Sequence, residues 1–242
     1  MNNSNRIAVF VSVFVAAGAQ ATITGASLTL ADFSNGYVNA DGSTVAIADP
    51  APAGADQVWR LWATVTSATD IVAFFGASAD DGVLFHMSVH GGTMYNERSF
   101  GNDIDGPNHA FFGIPGFGGT AYDSFLTIGH DGSSGTSGST SVSDDGWLAG
   151  WTADGNFATL NGGLFDTSPS AGEDVVSDGY GGFRVLLGQF TLSHGACSEG
   201  SGRIGGGGQS VDISWHSYCP TPGALALFGV VGLAGVSRRR QG

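Results

Sequence analysis

In residues 57–66, Trp59, Leu61, Ala63 and Val65 fall on one face of an extended chain, while Arg60, Trp62 and Thr64 fall on the other. That period of two limits the fold more than any other feature, and it recurs. Residues 82–90 set Val83, Phe85, Met87 and Val89 against His86, Ser88 and His90. Residues 210–216 set Val211, Ile213 and Trp215 against Asp212, Ser214 and His216. Further strands are expected at 22–30, 36–47, 70–75, 122–129, 146–151 and 183–193. No segment carries a 3.6-residue apolar period. Gly supplies 41 of the 242 residues, and each Gly inside a helix costs about 1 kcal/mol relative to Ala. A helical architecture is therefore excluded. Short apolar runs parted by Gly/Asn/Asp/Ser clusters predict an all-β fold, an antiparallel β-sandwich or jelly roll. Helix is expected only at the two ends, as an N-terminal signal helix and a C-terminal apolar tail helix. Residues 129–146 (GHDGSSGTSGSTSVSDDG) and 201–209 (SGRIGGGGQ) read as low-complexity loops.

Both ends read as targeting segments. Arg6 gives a positive start, residues 7–17 (IAVFVSVFVAA) an apolar core, and Ala19-Gln20-Ala21 a small-x-small cleavage site. An apolar core of that length with those flanks is a signal peptide rather than a membrane span. The mature chain is expected to begin at Thr22. At the other end Cys219 is followed by Pro220-Thr221-Pro222, by the apolar run GALALFGVVGLAGVS, and by Arg238, Arg239 and Arg240. The run is marginal for a bilayer core of about 30 Å, and the Arg triplet keeps the terminus on the cytoplasmic side.

A proline pair, a short apolar span and a terminal Arg cluster resemble the PEP-CTERM sorting signal of bacterial surface proteins. The resemblance places Pro220, Thr221 and Pro222 at the Pro-Glu-Pro motif, residues 223–236 at the span and Arg238–Arg240 at the basic anchor. It departs at Thr221, where the family has Glu. It implies an exosortase-like sorting transpeptidase as a partner and membrane attachment through the tail, at least transient, in the inner membrane. An ordinary tail anchor gives the same topology without cleavage. DSFLTIG, GWLAGW and FRVLLGQFTL, between Asp123 and Leu192, are also similar to a β-module of secreted, sorting-tailed proteins. The expected organisation is signal peptide 1–21, β-sandwich ectodomain 22–217 and sorting or anchor tail 218–242.

The chain has no Lys and eight Arg. Without Arg6 and the terminal triplet, four Arg face 21 acids, a net charge of −17. Such a surface repels phosphate backbones, which excludes nucleic acid as a partner, and it attracts divalent cations. Cys197 and Cys219 are the two cysteines. In an oxidising compartment they can form one disulfide worth about 3 kcal/mol; otherwise both are free thiols.

Few residues nominate chemistry. His86 and His90 share a strand face about 13 Å apart, too far to share one zinc. Calcium takes several oxygens on a turning backbone, and Asn102, Asp103 and Asp105 before Gly106 are the best candidates. Asp80-Asp81, Asp144-Asp145 and Glu173-Asp174 are weaker ones. No other cofactor is expected. No G-x-S-x-G nucleophile motif is present, and Gly205–Gly208 lacks the Lys of a phosphate-binding loop. Trp59, Trp62, Trp147 and Trp151 can stack on sugars, although alternating Trp in a sandwich belongs more often to the core. The expected function is an exported cell-surface or matrix protein with a structural or adhesive, non-catalytic role. The alternative is a carbohydrate-binding module, calcium-assisted, for extracellular polysaccharide; a secreted hydrolase ranks third.

Overall fold

The computed structural model describes residues 23–133, 140–143, 146–169 and 175–218. The signal segment with Ala19 and Ala21, and the tail with Cys219, Pro220, Thr221, Pro222 and Arg238–Arg240, lie outside the described residues. The strands are β1 (Ile23–Ala31), β2 (Tyr37–Val38), β3 (Thr44–Val45), β4 (Gln57–Val65), β5 (Phe74–Gly76), β6 (Phe85–His90) and β7 (Phe125–Leu126). They continue with β8 (Thr140–Ser143), β9 (Phe157–Thr159), β10 (Gly163–Asp166), β11 (Val176–Ser177), β12 (Phe183–Leu192), β13 (Cys197–Gly206) and β14 (Gln209–His216). One α-helix, α1 (Trp147–Asp154), and two short 3-10 turns, His109–Phe111 and Gly118–Tyr122, complete the described elements.

Two antiparallel sheets carry the fold. The first runs β1-β4-β12-β11, with β7 sharing the free side of β12. The second runs β8-β10-β5-β13-β6-β9, with β14 along the other side of β13. Strands β2 and β3 form a separate hairpin. The expected all-β, antiparallel class is what forms.

The core lies between the sheets. Trp59, Leu61, Ala63 and Val65 of β4 meet Phe75, Phe85, Met87, Ile204, Val211, Ile213 and Trp215 of the second sheet. From β12 come Val185 and Leu187, then Phe190 and Leu192. The parity changes because the register slips between Leu186 and Gly188. That bulge turns Gln189 to the opposite face, as an inserted residue must in a period-two strand.

Three expectations are corrected. Residues 201–209, read as a loop, form half of β13 and the turn into β14. Gly200 and Gly202 lie on the core face of β13 because aromatic rings occupy the space of a side chain. A Cβ on Gly200 would stand 2.3 Å from Trp215 Cζ2, and one on Gly202 would stand 3.1 Å from Phe85 Cδ2. Gly207 and Gly208 have φ of 58° and 78°, which a two-residue hairpin turn of the I′ kind requires. The stretch is glycine-rich because it is covered, not because it is loose. Within 129–146, Thr140–Ser143 is likewise a strand, β8, paired with β10.

Residues 146–151, expected as a strand, begin α1. Trp147 and Trp151 are four apart, a spacing that serves a strand face and a helix face equally well. Both are buried. Gly155 (φ 80°) closes the helix, its N–H donating to Trp151 O at 3.0 Å, an αL cap. Helix is thus not confined to the termini.

The outer face of the first sheet is also buried. Loops from 31–55 and 95–132 lay Phe33, Tyr37, Phe112 and Tyr122 over Val58, and Ala40 and Phe125 over Trp62 and Leu186. The outer face of the second sheet carries alternating exposed polar residues along β14.

Candidate functional site

Two polar assemblies stand out, one buried and one open. The buried one centres on Arg60, 2% exposed on the outer face of β4. Its Nε and Nη2 donate to Gln189 Oε1 at 3.1 and 3.0 Å, and Nη1 donates to Val38 O. The guanidinium lies 4.8 Å from the Tyr37 ring centroid and 5.4 Å from that of Phe33. Gln189 Nε2 donates in turn to Ala121 O (3.2 Å) and Asp123 O (2.8 Å). The bulge in β12 is what aims Gln189 here. Tyr37 donates to Asp131 O at 3.3 Å, and burial pushes its hydroxyl up. His109 Nε2 contacts the same oxygen at 2.8 Å, and burial lowers its pKa. Asp131 accepts from the backbone N–H groups of Ala40 (2.6 Å) and Ser133 (2.9 Å). These contacts fasten the loop layer to the sheet.

Asp123 closes the same layer. It is fully buried, and its two oxygens accept from the N–H groups of Glu97 and Asn102, each at 2.7 Å. Burial raises its carboxyl to about 7, against the pull of those two donors. Nearby, Phe100, Phe111 and Phe117 gather with Ile114; Phe100 and Phe117 stand 4.5 Å apart and Phe111 stacks on Phe117 at 5.6 Å. Phe100 is 47% exposed and Ile114 44%.

The open assembly is the solvent face of β6, β13 and β14. Residues opposite one another in register share a face, which sets out its rows. Ser88, Glu199 and His216 form one, and His86, Ser201 and Ser214 the next. Arg203 and Asp212 follow, with Arg203 Nε donating to Asp212 Oδ1 at 2.6 Å and Nη1 to Asp81. His86 Nδ1 lies 2.8 Å from Ser201 Oγ. His90, one pleat beyond Ser88, reaches back so that Nε2 lies 3.3 Å from Glu199 Oε1. Alternation in 82–90 and 210–216 correctly puts His86, Ser88, His90, Asp212, Ser214 and His216 on polar faces. It could not show that the two faces are one, because β13, the strand between them, reads as a loop.

The calcium candidates point apart. Asp103 accepts from Asn96 Nδ2 at 2.9 Å, toward the end of α1. Asp105 is buried with φ 68° and accepts from Thr127 Oγ1 at 3.2 Å; burial raises its pKa. Asn102 bonds within its own turn, to Gly106 O and Ile104 N–H, both at 3.4 Å. Asp144-Asp145 and Glu173-Asp174 lie outside the described residues. Trp59, Trp62, Trp147, Trp151 and Trp215 are each no more than 6% exposed, so all five belong to the core. A shallow depression of about 580 Å³ lies beside α1, lined by Leu84, Trp147, Asn156, Phe157 and Leu160 among others, none of its lining residues titratable. No helix among the described residues is long and apolar enough to cross a membrane.

Cys197, at the start of β13, is disulfide-bonded. At the next residue the chain's exit is fixed to the same strand: Ser217 N–H donates to Ser198 O, and Ser198 N–H to Ser217 Oγ, each at 2.7 Å. Comparison with family models, curated proteins and solved structures finds no match.

Proposed function

We propose that the chain is exported and works at the cell surface or in the surrounding matrix as a non-catalytic structural or adhesive protein, delivered by its PEP-CTERM-like tail. The observation that carries this reading is the disulfide at Cys197, a bond that persists in oxidising compartments and is rare in the cytosol. The chain's other cysteine is Cys219, and we assign it as the partner. The bond then joins β13 to the residue immediately before Pro220-Thr221-Pro222. Two hydrogen bonds between Ser217 and Ser198 fix the chain's exit to β13, and the assigned bond would add a covalent link to the tail. A sorting enzyme acting near the proline pair would pull against a closed domain rather than a loose end.

The test is mass spectrometry of the surface fraction from the native host, without reduction. A mature start at Thr22, a Cys197–Cys219 cross-linked peptide and loss of the apolar run are expected. Recovery in the cytoplasm with Met1 in place and a free Cys197 thiol would overturn export. Recovery at the surface with the peptide intact through Gly242 would leave a simple anchor in place of sorting.

The carbohydrate-binding reading, which rests on tryptophans and acidic loops, loses the tryptophans to the core; the aromatic surface the structure offers it instead is the half-exposed Phe100/Phe111/Phe117 cluster. A glycan-array screen of the full chain, with and without calcium, tests it. Binding abolished by Phe100→Ala would favour it over a purely structural role.

A further inference from the structure

We propose that His90, Glu199 and His216, on the solvent face of β6, β13 and β14, form a binding site for one imidazole-preferring divalent metal ion of the zinc class. The inference goes beyond the export reading and does not depend on it.

The argument is one of register. His90 and His216 come from strands on opposite sides of β13, and Glu199 of β13 lies between them. His216 is directly opposite Glu199, which puts their Cβ atoms about 5 Å apart. On the other side His90 already holds its Nε2 3.3 Å from Glu199 Oε1. Two strand spacings and two residues of rise separate the Cα atoms of His90 and His216 by about 12 Å. Imidazoles turned inward from the two flanks, each extended by a metal–nitrogen bond of about 2 Å, meet over the central carboxylate. This is the cross-strand counterpart of what His86 and His90 cannot do along one strand.

All three side chains are exposed, so no packing holds them in their present rotamers. Among the described residues no three ligating groups are already gathered at one point. The site therefore closes by rotation of the His216 ring toward the His90–Glu199 pair. Two nitrogens and one carboxylate oxygen select zinc, copper or nickel over calcium, which takes oxygen ligands. The negative field of the acidic chain raises the local cation concentration around the face. His86 is held by Ser201 one row away and is outside the ligand set.

The test is isothermal titration of zinc chloride into the full chain in detergent micelles, without reductant, so that Cys197 stays in its disulfide. One zinc per chain is expected. His90→Gln, His216→Gln and Glu199→Gln should each weaken binding by about tenfold or more. Asp80→Asn, an exposed acid elsewhere, should leave it unchanged, and excess calcium should not displace zinc. Histidine ring resonances of His90 and His216 should shift on zinc addition while that of His109 stays in place. Equal binding by wild type and the His90→Gln/His216→Gln double variant would overturn the proposal. So would an Asp80→Asn loss as large as that of Glu199→Gln, since the ion would then be held by diffuse charge.

Discussion

Gln189 holds a buried cation in place, and a mutant cycle with Arg60 measures that role. Gln189 is fully buried and Arg60 2% exposed. Gln189→Leu keeps the volume approximately but removes four hydrogen bonds, two accepted from Arg60 and two donated to the loop carbonyls of Ala121 and Asp123. The guanidinium would then retain Val38 O and the faces of Tyr37 and Phe33. Taking the acceptor away from a buried charge costs about 1.5–3 kcal/mol, a large part of a domain stability of roughly 5–15 kcal/mol. Arg60→Met alone removes the charge and leaves Gln189 Oε1 without its donor, at about 1–3 kcal/mol. Replacing both partners removes the stranded charge and the stranded Oε1 together, while the carbonyls of Val38, Ala121 and Asp123 lose these donors as they do in the single variants. The double variant should therefore be more stable than Gln189→Leu alone, with a coupling of at least about 1.5 kcal/mol. Urea unfolding midpoints of the four proteins, followed by far-ultraviolet circular dichroism, give the cycle. Strict additivity would refute the reasoning, because it would mean that the pair does not act as one unit.

Two further outcomes follow from the packing. Gly200→Ala places a Cβ 2.3 Å from Trp215 Cζ2 and 2.5 Å from His86 O and should cost about 1–3 kcal/mol by overpacking; Gly113→Ala, with open space around it, should be close to neutral, and equal urea midpoints would refute the covered-strand account. Asp123 has a folded pKa raised to about 7 from 3.8, so its protonated form contributes stability that is complete below pH 3.8 and is lost as pH rises through 7. The loss is bounded at about 4 kcal/mol by 1.36 kcal/mol per unit. Relative to Asp123→Asn, the wild type should lose stability between pH 4 and 7, and a pH-independent difference between the two would remove Asp123 as the titrating group.

The fold was legible wherever one residue in two was large and apolar. Strands β1, β4, β6, β12 and β14 match expected strands within a few residues: β4, β6 and β14 carry their own alternation of core and outer side chains, and β12 is an apolar run buried on both faces. What failed to show was any strand whose burial is supplied by its neighbours. β13 has a single large apolar residue, Ile204, on its core face; Phe75, Phe85 and Trp215 from adjacent strands fill the space over Gly200 and Gly202. Its hydrophobicity is written elsewhere in the chain, so a local window reads it as linker. The α1 error has the opposite origin. Trp147 and Trp151 satisfy both periods at once, and only the Gly155 cap distinguishes them, by ending a helical turn.

The same failure hid the open polar face. Once β13 is a strand, it becomes the centre of the second sheet, and every second residue from Glu199 to Gly205 faces solvent between two rows already known to be polar. His90 and His216 are 126 positions apart in the chain, and no spacing rule connects them. They become neighbours only through the one strand that composition disguises. The calcium candidates show the converse. Asn102, Asp103 and Asp105 are contiguous and oxygen-rich, yet Asp105 turns inward with a left-handed backbone toward Thr127 while Asp103 turns toward Asn96. Proximity in sequence favours a shared ligand only when the local backbone aims the side chains at one point. In a sheet protein that aim is set across strands, and a site is therefore better sought along rows of register than along runs of residues.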